Sequence, residues 1–318
     1  MAPLGDLSRR QFLAYGASSV ALASVALRAQ TVLPAAPNPP IDATIDTANY
    51  LSVTVRIDGN GPYRFVVDTG ADRTVLAADV ALDLGLLRGE RVVMEGVVRA
   101  VATQTVAIRE LSFGSIVCRH LAVPTLPRDM LRADGYLGLD TLDGHRVTFD
   151  FKNRTLQVSK PGSRLSNLWL RQSEARIRTS GSSGHLRAVD CTVDGVAATA
   201  FIDTGAEVSA GNASLLAALT RGRRGGYQAD ALALTDITGG EILGNVTMVD
   251  KIRLMDVEFT HCPLVIADFK IFEVWGLAQH PALLIGMNFL RQFSRVSIDY
   301  GLKELRFDLT SLGSLQPA

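Results

Sequence analysis

Charge of one sign is what this sequence most plainly lacks. Lys and Arg together number 32, Asp and Glu together number 32, and the formal net charge is zero. Basic residues cluster only in the short run Arg221, Arg223, Arg224. A phosphate backbone needs a concentrated basic surface, so nucleic acid is not an expected partner and the Arg run reads as a solvated loop. Cysteine is scarce as well. Cys118, Cys191 and Cys262 form an odd set with no CxxC spacing, which excludes a zinc ribbon or a dithiol redox motif. Each reads as a small buried hydrophobe, and a Cys191–Cys262 disulfide stays open in an oxidising compartment. The five histidines are scattered. There is no Gly-x-Ser-x-Gly elbow, no His-Glu-x-x-His helix and no Gly-rich phosphate loop. Neither a metal nor an organic cofactor is expected. Aromatic residues make up only 6% of the chain, but 47% apolar residues over 318 positions suffice for one or two packed cores.

Long apolar runs are absent with one exception. A charged start containing Ser8-Arg9-Arg10-Gln11-Phe12-Leu13 leads into an Ala/Ser/Gly-rich apolar stretch over residues 14–27. That plan is a signal peptide, and adjacent arginines followed by Phe-Leu resemble the bacterial twin-arginine export signal. The stretch falls short of the roughly 20 apolar residues of a membrane span. Cleavage near residue 29 is therefore expected, with export to the periplasm or beyond and no membrane span in the mature protein. Residues 30–42, which include Pro34, Pro37, Pro39 and Pro40, read as a flexible mature N-terminus.

What the chain does contain is the same unit written twice. Residues 43–68 and 175–203 each open with Ala-x-Ile, run through an alternating strand to an Asp-Gly turn, and continue as a second apolar strand into Asp-Thr-Gly-Ala. The turns are Asp58-Gly59 and Asp194-Gly195, and Asp-Gly between alternating segments is a strong hairpin signal. The likeness persists downstream. Gly135-Tyr136-Leu137-Gly138 and Leu283-Leu284-Ile285-Gly286 each precede a short helical stretch, at 139–142 and 287–293. Then come Arg146-Val147-Thr148-Phe149-Asp150 and Arg295-Val296-Ser297-Ile298-Asp299, and each copy ends in a strand, at 155–158 and 304–307. Alternating, strand-like segments at 111–123 and 252–264 carry His120 and His261 in matching positions. The expected architecture is mainly β, with two homologous barrel-like lobes of about 120 residues related by a pseudo-twofold axis. The N-terminal lobe should occupy 43–160, a Gly/Ser/Pro-rich connection 161–174, the C-terminal lobe 175–310, and a tail 311–318.

Each copy of the tripeptide places a carboxylate, Asp68 or Asp203, at the end of an apolar strand. An ionised carboxylate removed from water without partners is costly. Thr69 and Thr204 offer hydroxyls to the opposite loop, while Gly70 and Gly205 let backbone amides approach. If the lobes face each other about the axis, the two carboxylates share one site. Two carboxylates so close hold one proton between them, which puts an acid and a base in one place.

These residues resemble the aspartic peptidases of the retropepsin and pepsin clan, over nearly the whole stretch from Ala43 to Phe307. The resemblance rests on Asp-Thr-Gly-Ala in duplicate, on Thr74 and Ser209 at the sixth position after each aspartate, and on the apolar-apolar-Gly elements ending at Gly138 and Gly286. It implies catalytic roles for Asp68 and Asp203, bracing roles for Thr69 and Thr204, and packing of Gly138 and Gly286 behind the turns. Ala71 and Ala206 look more like the retroviral-type and bacterial members than like pepsin. The resemblance also implies hairpins that close over substrate, for which residues 94–103 and 236–245 are the candidates, although neither holds a Tyr as pepsin-like hairpins do. The expected activity is that of an endopeptidase acting on peptides or proteins, with a monomer as the working unit. The alternatives are an exported peptide-binding protein without turnover and a homodimer in which each lobe pairs with another chain.

Overall fold

The computed structural model describes residues 39–45, 50–161, 174–180, 187–221, 229–254 and 257–308. The signal-like segment, most of the 161–174 connection and the tail lie outside the described residues.

The first lobe begins with β1 (Ile41–Ile45), β2 (Leu51–Ile57), β3 (Asn60–Val67), β4 (Val75–Ala77), α1 (Ala78–Asp83), β5 (Arg88–Glu95) and β6 (Ala100–Phe113). It continues with β7 (Ile116–Leu126), α2 (Arg128–Leu131), β8 (Gly135–Leu137), α3 (Leu139–Leu142), β9 (Arg146–Asp150) and β10 (Thr155–Ser159). The second lobe repeats the plan from β11 (Glu174–Ser180), β12 (Arg187–Val193), β13 (Val196–Ile202), β14 (Ala210–Gly211), α4 (Ala213–Thr220) and β15 (Ala229–Thr235). Its remaining elements are β16 (Glu241–Leu254), β17 (Val257–Ile266), α5 (Lys270–Val274), β18 (Ala282–Ile285), α6 (Met287–Leu290), β19 (Arg295–Asp299) and β20 (Glu304–Asp308).

Both Asp-Gly pairs form the expected hairpin turns. Asp58 and Gly59 have φ of 49° and 83°, Asp194 and Gly195 of 46° and 83°, the doubly positive geometry that matches the twist of the flanking strands. The Asp58 carboxylate also accepts the Glu110 N–H at 2.8 Å, and that of Asp194 accepts the Lys251 N–H at 2.7 Å. Each hairpin is thereby fastened to the long strand beside it.

Period-2 alternation puts Val53, Val55 and Ile57 inside and Thr54 and Arg56 outside, and such one-faced strands close into barrels. Around the first lobe the pairing runs β2–β3–β8–β4–β7–β6 and back to β2; around the second it runs β12–β13–β18–β14–β17–β16 and back to β12. The segments 111–123 and 252–264 are not single strands. Each spans the joint of a hairpin, β6–β7 and β16–β17, because the residues on either side of the joint, Phe113 with Ile116 and Leu254 with Val257, are paired and both buried. The hydrophobic pattern therefore runs on without registering the turn.

A third sheet joins the lobes, in the order β1–β10–β9–β19–β20–β11. Its first strand begins at Ile41, which pairs with Leu156, so Ile41 and Asp42 are held in a sheet instead of belonging to a flexible lead. At its centre β9 and β19 run antiparallel, with Thr148 opposite Ser297 and each Arg opposite the other copy's Asp. Arg295 donates to Asp150 at 2.7 Å, Arg146 Nε donates to Asp299 at 2.9 Å, and the Thr148 and Ser297 hydroxyls bond at 2.9 Å. One continuous core runs through both lobes and this sheet, including Val147, Phe149, Val296, Ile298 and Phe307. Burial of each such side chain contributes about 1.5–3 kcal/mol, so the lobes share their core as well as their chain.

All three cysteines are free thiols. Cys191 on β12 and Cys262 on β17 flank β16 from opposite sides, opposite Leu254 and Val249, so a disulfide between them is not formed. Burial pushes both thiols up to about 12, which leaves them protonated and unreactive.

Candidate active site

β3 and β13 each emerge from a barrel beside a parallel partner, β8 and β18, and each delivers its Asp at the point where that pairing ends. The Asp68 N–H donates to the Leu137 carbonyl and the Asp203 N–H to that of Ile285, both at 3.0 Å. The chain then turns sharply, and the turn amides fold back onto the carboxylates. Gly70 N–H and Ala71 N–H donate to Asp68 Oδ1 at 2.8 and 3.1 Å, and Gly205 N–H donates to Asp203 Oδ1 at 2.7 Å.

The two turns face each other across the lobe boundary. A methyl group at Gly70 would lie 2.5 Å from Asp203 Cγ, and one at Gly205 would collide with the Asp68 carboxyl. Glycine at both positions is a steric requirement of the approach. The threonines lock that approach in a closed ring: Thr69 N–H donates to Thr204 Oγ1 at 3.1 Å and Thr204 N–H to Thr69 Oγ1 at 3.0 Å. Each hydroxyl then passes its own proton to the opposite strand, Thr204 Oγ1 to the Val67 carbonyl at 2.7 Å and Thr69 Oγ1 to the Ile202 carbonyl at 3.3 Å.

Behind each turn stands a second, matching set of bonds. The Thr74 hydroxyl accepts the Gly138 N–H at 3.1 Å and donates to Asp140 at 2.7 Å; the Ser209 hydroxyl accepts the Gly286 N–H at 2.9 Å and donates to Asn288 at 2.7 Å. Gly138 and Gly286 sit against the backbone of the turns, with no room for a side chain. Asp140 and Asn288 went unrecognised in the sequence, yet the signal was there: each stands two residues after its glycine and answers the hydroxyl six residues after its aspartate. Burial raises the pKa of Asp140 in spite of the bonds from Thr74.

Asp68 is 6% exposed and Asp203 is 7% exposed. Burial drives the Asp68 pKa well above the ordinary carboxylate range, the charge of Asp203 and a hydrogen bond to it push the same way, and the Gly70 and Ala71 amides pull it back only in part. A proton therefore resides between the two carboxylates under conditions in which separated aspartates would both be ionised.

Residues 94–103 and 236–245 contain the turns of two long hairpins, β5–β6 and β15–β16. The tip residues Val97 and Val98 pack on an apolar cluster of the second lobe that includes Phe201, Leu284 and Trp275. Phe201 precedes Asp203 by two residues and so shares its face of the strand. His120 and His261 hold equivalent left-handed positions, with φ of 56° and 53°, on the exposed surfaces of β7 and β17.

No curated protein matches the chain. The family model for aspartyl proteases matches residues 53–141 and 189–289, one stretch in each lobe and together more than half of the sequence. Each stretch contains one Asp-Thr-Gly turn and the apolar-apolar-Gly strand paired beside it. With two closed six-stranded barrels and a match to the family model in each, the chain belongs to the aspartyl protease family and is a bilobal, retropepsin-like member of it.

Proposed function

We propose that the protein is an aspartic-type endopeptidase in which Asp68 and Asp203 act as one acid-base pair on a water molecule and a peptide bond. The observation that carries this reading is the approach of the two carboxylates from opposite lobes, close enough for each to touch the other's glycine turn. In the ground state the pair holds one proton. The ionised carboxylate takes a proton from water as its oxygen attacks the peptide carbonyl carbon, and the protonated one gives its proton to the carbonyl oxygen. The resulting gem-diol returns one hydroxyl proton to the pair as the C–N bond breaks. The other carboxylate protonates the departing amine, and the pair is left with one proton again. Thr69 and Thr204 fix the spacing, and the turn amides orient the carboxylates for proton transfer.

Because both aspartates come from one chain, a single copy supplies the whole site. Incubating the purified protein with a mixed peptide library and comparing it with Asp68→Asn and Asp203→Asn tests the assignment. Both variants should lose cleavage to a similar extent, and the double variant should lose little more. An unchanged product pattern in Asp68→Asn overturns the reading, and peptide binding without cleavage in the unaltered protein identifies a binding protein instead. We further propose export through the twin-arginine route. Arg9→Lys with Arg10→Lys should retain the precursor in the cytoplasm, and continued export in a fractionation experiment refutes that route.

A further inference from the structure

The internal repeat creates two equivalent creases where a turn of the joining sheet meets the opposite lobe. In one, the Tyr300 N–H, just past β19, donates to the His145 carbonyl at 3.0 Å; in the other, the Phe151 N–H, just past β9, donates to the Ser294 carbonyl at 3.0 Å. The two turns match in detail. Arg154 and Lys303 both take left-handed φ, of 53° and 54°, and Asp150 and Asp299 each accept the N–H three residues on at 2.9 Å.

The creases are nevertheless filled differently. Tyr300 is 6% exposed and belongs to the shared core. Gly301 beside it lies so close to Pro161 that a Cβ there would come 2.6 Å from the proline ring. The chain itself closes that crease. In the other, the Phe151 ring stays half-buried, stacked on Phe149 with 6.2 Å between centroids. Beside it a cleft of about 720 Å³ opens between the β9–β10 turn and residues 291–295, a volume in the range of small-molecule sites.

Charge separates the creases as well. Lys152 stands where the other copy has Gly301, and Arg291 follows α6 where Asp143 follows α3. Lys152, Arg291 and Arg295 line the cleft with the carboxylates of Asp150 and Asp308, which leaves one positive charge in excess. Arg295 and Asp150 already pair at 2.7 Å, so Lys152 and Arg291 stand against the single carboxylate of Asp308. No residue of either Asp-Thr-Gly turn belongs to the lining.

We propose that this cleft binds a small aromatic carboxylate, its ring against Phe151 and its carboxylate held by Lys152 and Arg291. A guanidinium matches a carboxylate with two parallel N–H donors, and an ammonium adds a mobile point charge. The ligand's ring would fill the open crease as Tyr300 fills the closed one. Because the lining comes from both lobes, the bound molecule would tie them together and stabilise the folded protein by mass action. The site is independent of the peptidase reading, since neither aspartate takes part.

Phenylacetate is the probe, titrated calorimetrically into the purified protein at neutral pH, with thermal unfolding as a second readout. One saturable site and a rise in Tm are expected. Lys152→Gln and Arg291→Gln alter exposed side chains, and each should weaken binding about tenfold through the loss of a charge-assisted bond. Phenylacetamide, which lacks the charge, and acetate, which lacks the ring, should both bind at least tenfold more weakly than phenylacetate. Asp68→Asn should bind phenylacetate as the parent does. The proposal is overturned if phenylacetate gives no saturable site, if both Gln variants bind it as tightly as the parent, or if either control ligand matches it. Loss of binding in Asp68→Asn would place the ligand at the aspartates and overturn the crease site equally.

Discussion

Replacing Thr204 by Val exchanges a hydroxyl for a methyl of similar volume and so interrogates the cross-lobe brace alone. The Thr204 hydroxyl is 1% exposed as part of its residue; it accepts from Thr69 N–H at 3.1 Å and donates to the Val67 carbonyl at 2.7 Å. Valine deletes both bonds, at about 1 kcal/mol each, and leaves a buried donor and a buried acceptor unpartnered, so the total loss should be about 2–4 kcal/mol. That is a large fraction of the roughly 5–15 kcal/mol that holds a typical domain folded. Thr204→Ser keeps the hydroxyl and gives up one methyl, for a loss of about 1 kcal/mol. Thr69→Val should cost less than Thr204→Val, because its bond to Ile202 is the longer one at 3.3 Å. Urea unfolding followed by circular dichroism measures all three, with an unchanged slope confirming that the same surface is exposed. Activity should fall along with stability in Thr204→Val, since the brace sets the spacing of the carboxylates. A Thr204→Val variant within about 0.5 kcal/mol of the parent, or a Ser variant as damaged as the Val one, refutes the bracing argument.

Three further outcomes follow from the same geometry. Asp68→Asn should stabilise the fold as it removes activity: the raised pKa of Asp68 means the folded state loses stability as pH climbs through that value, so the variant's advantage should grow from acid to neutral pH in thermal unfolding, and a pH-independent difference contradicts it. Gly205→Ala should abolish peptide cleavage by driving a methyl into the Asp68 carboxyl, while far-ultraviolet circular dichroism stays native; retained activity means the turns have more room than described. Finally, Ala71→Ser with Ala206→Ser adds a hydroxyl beside each turn, where a donated hydrogen bond favours the ionised pair, so the bell-shaped activity profile should move toward acid, and a stationary profile shows that another group sets the titration.

Much of the site was legible because it is written locally and twice. Asp-Thr-Gly after an apolar strand, the hydroxyl six residues on and the apolar-apolar-Gly element each have meaning in a short window, and duplication removes chance. The Asp-Gly hairpins are of the same kind, since their turn type depends on two residues. The joining sheet was half legible. Arg146 to Asp150 and Arg295 to Asp299 read in opposite directions pair each Arg with an Asp and Thr148 with Ser297, but pairing between segments 149 residues apart is chosen by the whole fold. The joints at 113–116 and 254–257 escaped because buried residues flank them on both sides and leave the alternation unbroken.

The sequence by itself determined the two-lobed β architecture and named the residues of the pair, because strand periodicity and turn chemistry act over a few residues. Only the tertiary structure decided what those residues meet. The ring through Thr69 and Thr204, the role of Asp140 and Asn288 behind the turns, and the hydrogen bonds from Val98 to Asp236 and from Arg99 to Thr238 between the two hairpin turns all join atoms from distant parts of the chain. Such contacts depend on how the barrels dock and how far two hairpins reach, and hydrogen bonds of about 3 Å tolerate errors of only a few tenths of an ångström. Local preference is too weak to specify position on that scale; the shared core beneath the lobes supplies it.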